Sequence, residues 1–93
     1  MILSMAHAEV AEALRENLYG EWSQLVVGEQ PDGLVSAYLL SDGDYVRVAA
    51  VWRSVEEHDR ALGEEKTHPA FKVFEAAGLD HHHTVMSVVG TLQ

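Results

Sequence analysis

Cysteine is absent from the sequence, so a disulfide framework, a thiolate metal site and a cysteine nucleophile are all unavailable. Basic residues are scarce: six Lys and Arg stand against fifteen Asp and Glu, a formal charge of −9. A surface of that sign repels phosphate backbones and anionic lipid headgroups, so neither nucleic acid nor a membrane is expected as a partner. No run of 18 apolar residues offers a transmembrane helix. The opening MILSMAHAEV lacks both a positive n-region and an apolar stretch of signal-peptide length, which sets the expectation of a soluble cytoplasmic protein. No internal repeat or low-complexity linker divides the chain.

What is present is 47% apolar content in 93 residues, enough for one compact domain over 1–93 and too little for two. A chain of this size buries only about 60–65% of its unfolded surface, so pairing into a homodimer is a natural way to hide the rest.

Periodicity orders the elements. SMAHAEVA has helical propensity while MILSMAH alternates as a strand, and of the two the strand is favoured. Val10, Leu14, Leu18, Trp22, Leu25 and Val26 recur at spacings of three and four, predicting an amphipathic helix over 9–27 that Gly28 stops. Asp42-Gly43 lies between two apolar runs and predicts a type I′ hairpin, with Leu40 opposite Tyr45, Leu39 opposite Val46 and Tyr38 opposite Arg47. Alternation then puts Val35, Ala37, Leu39, Val46, Val48, Ala50 and Trp52 on a uniformly apolar, helix-covered face. The opposite face, with Leu34, Ser36, Tyr38, Leu40, Tyr45, Arg47, Ala49, Val51 and Arg53, is mixed and suits a ligand cavity or a dimer interface. Ser54 with Glu57 reads as a capping box opening a helix to about Gly63. Pro69 opens a second helical segment that ends at Gly78, and HTVMSVVGTL closes the chain as a strand. The order β-α-β-β-α-β predicts an α+β, ferredoxin-like split βαβ fold with both helices on one face of an antiparallel sheet.

At PDGLVSAYLL, VAAVWRSVEEHDRAL and HPAFKVFEAAG the chain resembles the antibiotic biosynthesis monooxygenase family over nearly its whole length. The resemblance implies a dimeric α+β barrel in which two open sheet faces meet. Some members oxidise phenols or quinols with molecular oxygen and no cofactor, and others have no assigned activity. A related haem-degrading branch carries an Asn on the first strand plus a Trp and a His in the second helical region. Here those positions hold His7, no Trp after Trp52, and a site near Glu75, so haem is not expected.

In the chemistry the resemblance implies, a base deprotonates a small aromatic substrate and its anion reacts with oxygen in an apolar cavity. His7 or His68 would be the base, Arg47 and Tyr38 the donors, and Trp52 and Phe71 the wall; no cofactor and no metal is expected. Each residue also has a structural reading. Trp52 suits core packing, His58 a solvated helix position, and His68 a cap on the following turn. Arg47 either orients an anionic ligand or reaches a carboxylate across a dimer interface. His81-His82-His83 reads as a solvated loop entering the last strand, because consecutive strand residues alternate faces and one ion could hold at most two of them. The competing function is a non-catalytic homodimer that binds a small ligand or a partner protein.

Overall fold

In the computed structural model residues 1–92 are described. The elements are β1 (Ile2–Glu9), α1 (Glu12–Val27), β2 (Leu34–Asp42), β3 (Tyr45–Trp52), α2 (Val55–Leu62), a single π-helical turn (Phe71–Glu75) and β4 (His82–Ser87). The strands form one antiparallel sheet in the order β2-β3-β1-β4, the ferredoxin-like arrangement. No helix among the described residues is long and apolar enough to cross a membrane.

The hairpin differs in detail from the sequence expectation. Within the turn only Gly43 has positive φ (60°), so the two-residue turn is Gly43-Asp44, with glycine in the first central position. Asp42 therefore faces Tyr45 and Leu40 faces Arg47, an offset of two from the expected pairing. An even offset preserves alternation, so the faces keep their predicted residues. The exception is a bulge between Leu34 and Ser36: Leu34, expected on the open face, packs with Trp52 in the core, and Val35 turns outward.

Small residues on the covered face decide how closely the helices approach. Ala6, Ala8, Val46 and Val48 pack against Leu18 of α1 and against Val73 and Phe74 of the π turn. A second cluster joins Ile2, Ala50 and Trp52 to Ala61 of α2. Of the apolar stripe on α1, Leu18, Trp22 and Leu25 reach the core, whereas Leu14 and Val26 stay exposed.

The second helix is seated by short-range chemistry. The Glu57 N–H donates to Ser54 Oγ at 3.2 Å, and the Ser54 hydroxyl donates to Glu57 Oε1 at 3.0 Å. Arg53 grips the same carboxylate through Nε and Nη2, at 3.1 and 2.6 Å. Gly33 lies against this carboxylate with φ of 86°, and a Cβ there would stand 2.5 Å from the Glu57 side chain, so only glycine fits. Further along, Gly78 (φ 70°) closes the π-helical segment as predicted: its N–H reaches Glu75 O, and the Leu79 N–H reaches Phe74 O, a Schellman motif. β4 stops at Ser87, short of the predicted strand, and Val89 and Leu92 beyond it are exposed.

Candidate functional site

The six residues singled out from the sequence do not share one cavity. His7, Tyr38 and Arg47 project from the open face, whereas Trp52, His68 and Phe71 lie on the helix side. Trp52 falls there because it is in phase with Val46, Val48 and Ala50, and His68 because the loop after α2 folds back over the sheet: its N–H reaches Ala61 O. The expected pairing of His7 with His68 as alternative bases for one pocket is therefore corrected.

On the covered side Trp52, Ser4 and His68 form a closed network, each fully buried. The Trp52 Nε1–H donates to Ser4 Oγ at 3.1 Å, and His68 Nε2 is also 3.1 Å from that oxygen. The Ala70 N–H donates to His68 Nδ1 at 3.1 Å, so Nδ1 must be the bare nitrogen and Nε2 must carry the proton. Burial first, then the neighbouring His83, His58 and His81, push the His68 pKa down to about 3. A neutral imidazole already donating to Ser4 cannot take a proton from Ser4 or from a substrate there. His68 is thus a structural hydrogen-bond hub that caps the Pro69 turn.

Two further histidines converge on it, against expectation. His58 is buried rather than solvated, because it occupies the stripe of α2 shared with Ala61 and Leu62 at i+3 and i+4. Its Nδ1 meets the Asp59 carboxylate at 2.9 Å although the two are chain neighbours, and its ring stands edge-on to Trp52 at 5.6 Å. The 81–83 tract is not a solvated loop either. His83 lies opposite Ala6 on the covered face, half-buried, with Nε2 3.2 Å from His58 Nε2. His82, one residue earlier, lies opposite His7 on the open face. His81 stacks on Phe74 at 5.2 Å and meets Phe71 edge-on at 6.3 Å. Burial, followed by the charges of His58 and His81, holds the His83 pKa below the usual histidine range. The donor atoms of His58, His68 and His83 all lie within 4.8 Å of one another. No local spacing announces that constellation; the signals that find it are the helical phase of His58 and the strand alternation that divides His82 from His83.

The open face presents a different set. His7 is partly buried and paired across the sheet with Arg47 on one side and His82 on the other. Its ring stacks on His82 at 5.2 Å and meets Tyr45 edge-on at 5.9 Å. The Arg47 guanidinium sits 5.7 Å over the Tyr45 ring and donates to Asp42 Oδ2 at 3.1 Å. The carboxylate that pairs with Arg47 thus lies in its own hairpin. Tyr38 is opposite Ala49 on the same face and 55% exposed. A cavity of about 230 Å³ lies on the other side, between the end of α1 and the start of β2, lined by Trp22, Leu25, Leu34, Ala37 and Pro69 among others, without a titratable side chain.

No family model matches the sequence, and no curated protein matches it. Solved structures do match. A Deinococcus radiodurans protein assigned by name alone to the antibiotic biosynthesis monooxygenases superposes with a TM-score of 0.77 at 12% identity, over 100% of this chain and 97% of that one. A point variant of SnoaB, a cofactor-independent oxygenase from Streptomyces nogalater, gives 0.70 at 19% identity, over 98% and 95%. Rv0793 from Mycobacterium tuberculosis gives 0.72 at 16% identity, over 99% and 98%. The fold inferred from the sequence is thus the fold these proteins share, at identities that carry no residue roles across.

Proposed function

We propose that the protein is a homodimeric, cofactor-independent monooxygenase that oxidises a small phenol, quinol or anthrone on the open sheet face, with His7 as the base. The observation that carries this reading is the position of His7: a partly buried imidazole beside Tyr45 and opposite Arg47, on a face that also exposes Tyr38, Leu40 and Met86. A second copy laid on that face would remove its apolar surface from water and enclose the histidine. The sharing of this fold with SnoaB, named as a cofactor-independent oxygenase, supports the chemistry.

In this scheme His7 removes an acidic C–H or O–H proton, leaving an anion that Arg47 and Tyr38 stabilise. The anion supplies both electrons to oxygen, a C–O bond forms, and the resulting peroxide loses water as its O–O bond breaks. For an anthrone, the ring methylene gives up both hydrogens and becomes a carbonyl. One atom of molecular oxygen ends in that carbonyl and the other leaves with the two hydrogens as water, so the substrate is the only reductant. Oxygen uptake by chelator-treated protein with a panel of quinols and anthrones tests the scheme: uptake should saturate with substrate, and His7→Ala should lower turnover at least about 100-fold. Uptake unchanged in that variant would remove the proposed base. The 230 Å³ cavity with no titratable lining favours a second reading, a ligand-binding dimer, for which tight binding without oxygen uptake is the signature.

A further inference from the structure

We propose that His58, His83 and His68 form a binding site for a divalent first-row transition ion such as Zn²⁺, on the face of the sheet opposite His7. Two of the three ligands are already set. Tetrahedral zinc–imidazole bonds of about 2.0–2.1 Å place two ligating nitrogens roughly 3.3 Å apart. His58 Nε2 and His83 Nε2 are 3.2 Å apart. Both cannot keep a lone pair at that distance unless something positive lies between them; a single shared proton does so in the free chain, and a cation can take its place.

The surroundings select the right atoms. The Asp59 carboxylate accepts from His58 Nδ1 at 2.9 Å, fixing the ring proton there and leaving Nε2 bare. That arrangement of a carboxylate behind an imidazole is the usual support of a metal-bound histidine. His83 Nδ1 is buried with no hydrogen-bond partner among the described residues, so no network opposes moving the ring proton to it and freeing Nε2.

His68 is the third ligand and the one that must move. Its Nε2–H is spent on Ser4 and its Nδ1 on the Ala70 N–H, so joining the ion means turning the ring and releasing both. Its donor atom already lies within 4.8 Å of the other two, and the Ser4 hydroxyl keeps the Trp52 N–H when His68 leaves. The ion would tie edge strand β4 to α2 and to the loop before Pro69, three segments joined there by imidazole contacts. A fourth position is left for water or an exogenous ligand.

The test uses Co²⁺ as a spectroscopic probe of the chelator-treated chain, with Zn²⁺ in competition. One equivalent at micromolar concentration should give the intense visible absorption of a tetrahedral site, and Zn²⁺ should bleach it. His83→Asn, at a half-buried position on an edge strand, should weaken binding at least about 100-fold while the far-ultraviolet spectrum is retained; an outer-shell change typically costs 10- to 100-fold. Asp59→Asn, on the exposed side of α2, should weaken it about 10-fold. His82→Ala should leave it within about threefold. Binding that survives His83→Asn, or that falls equally in His82→Ala and His83→Asn, would show a surface histidine tract picking up metal and would overturn the site. Oxygen uptake by metal-free protein is unaffected by either outcome.

Discussion

On the covered face of the sheet three histidines are packed ring to ring with a tryptophan, and one of them has both nitrogens spent on Ser4 and Ala70. On the open face His7 and His82 stack on each other beside Tyr45, and among the described residues neither ring has a hydrogen bond that fixes its proton. The two sets are separated by the thickness of one strand, and neighbours His82 and His83 belong to different sets. A histidine's chemistry here is therefore set by which side of the sheet it faces. On the covered side, burial and the Ala70 N–H fix the His68 proton on Nε2.

Removing the centre of the covered face should have the largest effect. Trp52→Ala would open a cavity and strip Ser4 of a donor, lowering stability by about 3–5 kcal/mol in a denaturant titration; a loss below about 1 kcal/mol would show that the network is not central. Acid should act on the same face. His68 has a folded pKa of about 3 against 6.5 in the unfolded chain, so the unfolded state binds more protons between these values. Its stabilising effect is complete above pH 6.5 and is lost as pH falls toward 3, amounting to roughly 3 kcal/mol by about pH 4. Replacing His68 by Gln should flatten that acid limb of the stability curve.

Smaller changes probe how α2 delivers His58. Gly33→Ala drives a Cβ into the Glu57 side chain at positive φ and should cost about 1–3 kcal/mol by thermal melt. Ser54→Ala removes the N-cap and should cost about 1 kcal/mol. Smallest of all, His7→Ala should change chain stability by less than about 0.5 kcal/mol while lowering turnover at least about 100-fold. A variant that instead unfolds would assign His7 to the structural side of the contrast.

The element order and both sheet faces were legible because capping residues, terminal glycines and the strand period of two act locally: Ser54, Glu57 and Gly78 behave as their positions imply. Register was less legible, since Asp42-Gly43 and Gly43-Asp44 are both acceptable turns and only the single positive φ distinguishes them. Leu34 and Val35 exchange faces through a bulge that no periodicity marks. The histidine cluster was hidden because its members lie far apart in the chain and are joined only when β4 docks beside β1 and the loop after α2 folds back. Trp52 and His68 carried a correct structural reading as core and cap; strand phase takes Trp52 out of the reaction cavity, and the fold-back of the loop after α2 takes His68 out of it.

The most direct measurement is a long-range ¹H–¹⁵N correlation spectrum of the histidine rings at about pH 6. His68 should give the pattern of a neutral imidazole protonated on Nε2, unchanged down to the acid at which the chain unfolds. An imidazolium pattern, or a neutral ring protonated on Nδ1, would mean that the covered face does not lock its protons, and His68 would return as a rival to His7.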